Sequence, residues 1–333
     1  MGQLRNLPVD SQVALLFVIV FGVLAALTIA AVAWNLRSPD TADDARRERI
    51  ARDLRAVWVG VTLFWIAWIS GPVGATLLFA LVSFAALREF ITLQHTRRSD
   101  HRSLLLAFFI VLPMQYGIVA AGSFDLSTVF IPVYVFFALP VVSALAGDPE
   151  RFLERNAKIQ WGIVVCVYGL SHAPALLLLD FPGHVGRGAF LVFFLVVAVG
   201  VADLVYEAML RRMPPPSADE TAASPAKAVK AAFGFSYRAL LTASVVAGLA
   251  ATVFYWVTPF KAGQAFVLAV AAAACGLFGE FVMDVLKRDA GVETWGNHPR
   301  ITGAVGLLDR IAPLCFAAPV FFHSVRWYFS LRA

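Results

Sequence analysis

The sequence predicts an all-α, polytopic integral membrane protein with nine to ten spanning helices, and three observations predict it. Of 333 residues, 60% are hydrophobic and 15% charged, against about 25% charged in an ordinary soluble domain, so too little polar surface exists to face water. Apolar runs recur at the length of about 17 to 25 residues that carries a helix across a hydrocarbon core about 30 Å thick. The positive charges are also unevenly shared between alternate loops, as the positive-inside rule requires.

In chain order, the apolar runs lie near 12–34, 56–87, 104–121, 126–146, 159–178, 188–210, 239–257, 263–286 and 309–330. The first has a small-x-small look at Ala31-Val32-Ala33 but is too long for a secretion signal. Only Arg5 precedes it and six arginines follow by residue 55, which predicts a retained helix with its N-terminus outside. The second is too long for one plain span and is interrupted at Ser70-Gly71-Pro72, read either as a tight turn between two short helices or as a broken helix. With a hairpin there, 22 of the 27 Lys and Arg fall in the loops 35–55, 88–103, 147–158, 207–238 and 287–310. That split predicts ten spans with both termini outside and the long loops in the cytosol.

Two of those loops differ in kind. Residues 211–230 carry Pro214-Pro215-Pro216 and many small polar side chains, the composition of an exposed linker. Residues 287–310 are rich in glycine and charge, as a backbone that turns tightly near a ligand must be. The cysteines, Cys166, Cys275 and Cys315, lie inside apolar runs without metal-ligand spacing and read as small core residues. Phosphate-loop, zinc-protease and nucleophile-elbow motifs are absent, the six histidines do not cluster, and no nucleic-acid partner is expected. His172 reads as a packed or hydrogen-bonded helix residue. Midspan Gln115 and Ser171 read as helix-contact residues, with a homodimer left open.

Charges inside a span are costly and face a cavity or a partner. Asp203 and Glu207, and Glu280 and Asp284, are each four apart near the end of a span, so each pair shares a helix face. Both pairs fall at predicted cytosolic ends, where the two faces are able to meet. Carboxylates beside Lys287, Arg288, Lys227 and Arg310 suggest a divalent cation and phosphate. The plainer alternative makes Asp284 and Arg288 an ordinary ion pair, Lys287 and Arg288 membrane anchors, and Glu207 an interfacial charge.

The C-terminal residues resemble the signature of the CDP-diacylglycerol synthase family, the phosphatidate cytidylyltransferases. Gly279, Glu280, Lys287, Arg288, Gly291, Gly296, Gly306, Leu308, Asp309 and Arg310 fall on the pattern. A second block is similar to the family's Ala-Asp motif and later Ser-Pro-x-Lys, here Ala202, Asp203 and Tyr206, then Ser224, Pro225 and Lys227. A third, weaker echo is Leu87-Arg88-Glu89-Phe90. The chain departs from the family where Lys-Asp is replaced by Glu293-Thr294, His-Gly-Gly by Ala304-Val305-Gly306, and a later Asp by Ala312.

The resemblance implies attack of a phosphatidate phosphate oxygen on the α-phosphorus of CTP, giving CDP-diacylglycerol and pyrophosphate in phospholipid biosynthesis. It implies Asp203, Glu280 and Asp309 as metal-linked acids and Mg²⁺ or another divalent cation as cofactor; Glu293 or Asp289 is the candidate to stand in for a missing acid. Lys287, Arg288, Arg310 and Lys227 would hold phosphates, with Ser224, Gly291 and Gly306 also at the substrate. Expected partners are CTP, phosphatidate or a related lipid phosphate, and membrane lipids. The expected organisation is N-terminal transmembrane helices over 1–125 and a C-terminal catalytic region over 126–333, with loops 207–238 and 287–310 on the cytosolic face of a bacterial inner membrane. Two alternatives remain open: a catalytically silent member acting as a lipid-binding or assembly partner, and a CTP-using lipid kinase. A transporter fits less well, because the acids sit at helix ends and not at the midplane.

Overall fold

The computed structural model describes residues 9–37, 44–94, 96–179, 181, 187–213, 234–292, 295–296 and 306–331. The described residues form helices without a β-strand, and they divide into two compact units, Met1–Ala75 and Thr76–Ala333.

Ten long helical runs occur among the described residues: α1 Val9–Arg37, α2 Asp44–Ile69, α3 Gly71–Thr92, α4 Arg98–Ala120, α5 Phe124–Ala144, α6 Phe152–Leu177, α7 Gly188–Arg212, α8 Tyr237–Thr252, α9 Ala262–Asp289 and α10 Leu308–Tyr328. Eight are long and apolar enough to cross a membrane, and α8 and the Val57–Ile69 part of α2 are shorter apolar helices. The chain is thus an all-α integral membrane protein. The long second apolar run resolves into two helices, because Gly71 takes a φ of +69° and Pro72 follows at the start of α3, a place where its missing N–H costs nothing. Within the first unit, α1 and α2 are joined by Trp58 Nε1 donating to Thr28 Oγ1 at 3.0 Å and by an edge contact of Phe17 on Trp65 at 5.0 Å.

Three helices begin well before their apolar runs suggest, α2 at Asp44 within the stretch 35–55 read as a loop, α4 at Arg98 and α6 at Phe152. For α4 and α6 the reason is that their polar first turns find partners. Arg155, 5% exposed, donates to Asp148 Oδ2 at 2.6 Å and to Ser99 Oγ at 2.7 Å, and its Nε lies 3.5 Å from buried Asp100. Arg97 grips Glu150 with both terminal nitrogens, at 2.6 and 2.5 Å. These bonds allow helix to continue through charged sequence that hydropathy alone would leave in a loop.

Helices α4, α5 and α6 each contain a π-helical turn, at Ala107–Val111, Phe130–Val135 and Val164–Gly169. Ser83 Oγ of α3 donates to the Cys166 carbonyl within the third of these turns. Midspan, Gln115 Nε2 of α4 donates to Ser171 Oγ of α6 at 3.0 Å, so both residues make the helix contact expected of them. His172 is buried, with Nδ1 2.7 Å from the Tyr168 carbonyl. Cys166 and Cys315 are buried and Cys275 partly so, all three as free thiols.

The C-terminal helices pack most extensively on one another: α9 on α7, α8 and α10, and α10 also on α6. Small residues let α10 in closely, as they do where lipid supplies no hydrophobic drive between helices. Gly169 of α6 faces the Cys315 carbonyl, and Gly276 and Gly279 of α9 face Pro313 and Phe316, so a Cβ at these glycines would collide or crowd. This packing fixes the start of α10 against the end of α9, where the signature residues lie.

Candidate active site

Asp203 projects from α7 and Glu280 from α9, and the packing of those helices brings the two carboxyl groups close enough to interact, with Asp284 and Glu207 adding negative charge around them. Two carboxylates in contact repel unless a proton or a cation lies between them. Glu280 Oε2 is buried and has no hydrogen-bond partner, an orphaned acceptor of the kind that a hard cation satisfies. The two stripes read from i,i+4 spacing therefore do face each other. Glu207 at the outer end also pairs with exposed Arg211, as an interfacial charge would.

At the end of α9, Lys287 Nζ reaches Asp284 Oδ1 at 2.6 Å and Asp309 Oδ1 at 3.0 Å. Asp284 thus pairs one position earlier than the alternative with Arg288 supposed. The second oxygen of Asp309 accepts from the Trp295 backbone N–H at 3.0 Å. Asp309 ties the end of α9, the following loop and the first turn of α10 together. Arg288 and Arg310 are exposed beside this knot. Gly291 closes α9 with its N–H on the Arg288 carbonyl at 3.0 Å.

Gly306 opens α10 at a φ of +74°, and a Cβ there would come within 3.3 Å of Asp309 Oδ2. Glycine suits the position on both counts. Its N–H points to Glu89 Oε1 at 2.6 Å, while Glu89 Oε2 accepts from Leu307 N at 2.8 Å and Leu308 N at 3.2 Å. Glu89 lies on α3, only 4% exposed. The next residue, Phe90, stacks on fully buried Trp295 with ring centroids 5.4 Å apart and 29° between planes. Ala312, where the family has an acid, is buried in the same apolar core as Trp295 and Leu308.

Ser224, Lys227 and Glu293 lie outside the described residues. The flanks of the 214–233 segment are anchored beside α7 and α9. Ser236 N donates to Tyr206 Oη at 3.3 Å, and Phe235 packs on Phe281 at 4.3 Å. Among the described residues, no group of three His, Cys, Asp or Glu side chains is placed to hold a metal ion. Asp203 and Glu280 come together and Asp309 is engaged elsewhere, so the acids do not form one three-member set. Two carboxylates completed by substrate phosphates are nonetheless a common donor set for Mg²⁺, and the orphaned Glu280 oxygen fits it.

Sequence reasoning singled out Asp203, Glu280, Lys287, Arg288, Asp309 and Arg310, and missed the backbone of Trp295 and the part played by Glu89. The signal for Glu89 was present in the Leu87-Arg88-Glu89-Phe90 echo, since an acid near the end of a span requires a partner.

Comparison with known proteins identifies the family. A cytidylyltransferase family model matches residues 50–328. The uncharacterized protein YnbB of Escherichia coli strain K12 is 32% identical over 323 residues, spanning 96% of this chain and 98% of the relative. With the matched region running through every residue of the knot, this chain belongs to the cytidylyltransferase family, which includes the CDP-diacylglycerol synthases, as a diverged member.

Proposed function

We propose that this protein transfers the cytidylyl group of CTP to phosphatidate, or to a related lipid phosphate, forming CDP-diacylglycerol and releasing pyrophosphate. The observation that carries the reading is the Asp203–Glu280 carboxyl pair on two packed helices, with Glu280 on the same helix as Lys287 and Arg288. The reaction forms a bond between a lipid phosphate oxygen and the α-phosphorus of CTP. The bond from that phosphorus to the β-phosphate bridging oxygen breaks in line, and pyrophosphate leaves with the electron pair. No covalent protein intermediate is required, so the chain's task is positioning and charge neutralisation.

Asp203 and Glu280 would hold a divalent cation, Mg²⁺ by their oxygen-only chemistry, which when bound supplies charge neutralisation at phosphoryl oxygens. Arg288 and Arg310, exposed at the ends of α9 and α10, bind phosphate oxygens through forked donors. Lys287 is oriented by Asp284 and Asp309 and meets the leaving pyrophosphate as a point charge. Ser224 and Lys227 complete the phosphate contacts from the segment anchored at Tyr206 and Phe235. Gly291 and Gly306 shape the backbone around them. The charge split supports loops 207–238 and 287–310 in the cytosol, and such a placement, in a bacterial inner membrane, gives CTP and the lipid headgroup access to the same helix ends.

The test uses purified protein in lipid vesicles with CTP, Mg²⁺ and phosphatidate, each omitted in turn. Pyrophosphate and the lipid product are quantified by mass spectrometry. The proposal expects stoichiometric pyrophosphate and CDP-diacylglycerol only when all three are present. Release of CDP would instead identify transfer of the terminal phosphate, and CTP binding without turnover would identify a silent partner.

A further inference from the structure

A helix leaves its first N–H groups without intrahelical acceptors, and these are usually satisfied by a Ser, Thr, Asp or Asn at the cap position. Helix α10 has Leu307 there and no side-chain cap of its own. The acceptor comes instead from a residue 217 to 219 positions earlier in the chain. Both oxygens of Glu89 are used, on three consecutive backbone donors, in a site nearly closed to water. A carboxylate at a helix N-terminus benefits from the dipole and from charge-assisted bonds, and burial strengthens both.

The grip acts on a particular place. The three donors belong to residues 306, 307 and 308, and the next two residues are Asp309 and Arg310. The adjacent Phe90 stacks on Trp295, whose backbone N–H holds the other oxygen of Asp309. Two consecutive residues of α3 therefore fix both chain segments that converge on Asp309. A cap serving stability alone is met more simply by a polar residue at 307, within the helix itself.

We infer that Glu89 is a positioning residue for cytidylyl transfer, acting through the 306–308 turn to hold Asp309, its partner Lys287 and Arg310 in register with the phosphates. The inference rests on the proposed function and adds to it a residue that touches neither substrate. Loss of the grip displaces charged groups without removing them, and displacements near 1 Å at a reacting centre cost about a hundredfold in rate.

The experiment compares wild type with Glu89→Gln and Glu89→Asp in vesicles, with rates normalised to folded protein by size-exclusion and thermal denaturation. Glu89→Gln keeps the length and one acceptor, but its amide N–H₂ faces backbone donors. It is expected to lower kcat/KM by about ten- to a hundredfold, mainly through kcat, and to speed amide exchange at residues 306–308. Glu89→Asp, one methylene too short to reach all three donors, is expected to lose more. As a control, Arg155→Ala weakens the fold at a separate ion-pair network with Asp100 and Asp148 and should keep wild-type kcat/KM per folded molecule. Wild-type kinetics in folded Glu89→Gln or Glu89→Asp would overturn the inference alone. So would a loss accounted for entirely by unfolded protein. A wild-type protein that releases no pyrophosphate would overturn the proposed function, and this inference with it.

Discussion

Two acidic clusters in the larger unit are built on opposite principles. Around Arg155, every acid meets a cation or a donor: Asp148 takes Ser99, Arg155 and the Glu150 backbone N–H, Asp100 takes the Arg97 backbone N–H and lies beside Arg155, and Glu150 takes Arg97. Around Glu280, acid meets acid, with Asp203, Asp284 and Glu207 all adding negative charge. The first arrangement explains itself as structure, because it allows two helices to begin in charged sequence. The second does not, since like charges in contact weaken a fold, and such sites persist where chemistry requires them.

Substitutions at the two clusters should therefore separate turnover from stability. The largest effect is expected at Asp203→Asn, which removes one of the paired carboxylates. Initial rates of pyrophosphate release should fall by about a thousandfold, the scale of losing charge stabilisation worth several kcal/mol, while the protein remains folded in gel filtration. Next comes Asp309→Asn, which breaks the ion pair to Lys287 but keeps an acceptor for the Trp295 N–H. A loss of about ten- to a hundredfold in kcat/KM is expected, and unchanged activity would remove Asp309 from the site.

Arg155→Ala reverses the pattern. It leaves Asp100 buried and Asp148 without its guanidinium, so denaturation should show a loss of about 3 kcal/mol, with wild-type turnover per folded molecule. A drop in turnover without a drop in stability would refute the division drawn here. The smallest effect concerns pH. The Asp148 carboxyl is held down to about 2, first by the Ser99 hydroxyl, then by the Glu150 N–H and Arg155. Its depressed folded-state value means its contribution is present above the ordinary carboxylate value and fades as pH falls through it toward 2. Thermal midpoints measured from pH 5 to pH 2 should decline less steeply in Asp148→Asn than in wild type.

Much of this was legible in the sequence because it depends on local pattern. The ten helical runs follow from apolar lengths, and the break at Gly71 follows from a glycine and a proline inside one long window. The facing of Asp203 and Glu280 follows from i,i+4 stripes at two span ends. The early starts of α4 and α6 were hidden, because their polar first turns are satisfied by side chains dozens of residues away. Asp309 illustrates the limit: its place in the signature was plain, but its bonds to Lys287 and to the Trp295 N–H depend on how two helix ends and a loop fold together. Glu89 was visible only in a weak family echo near the end of a span, whereas its partners, more than 200 residues distant, are backbone groups that no composition reveals.

The division between a structural and a catalytic acidic cluster is tested most directly by Glu280→Gln. Pyrophosphate release and thermal stability would be measured on the same vesicle preparation as wild type. Removing one of two carboxyls in contact relieves repulsion, so pyrophosphate release should fall to background while the thermal midpoint holds or rises. Wild-type turnover in this variant would contradict the account, because the carboxyl pair on which it rests would then have no part in the chemistry.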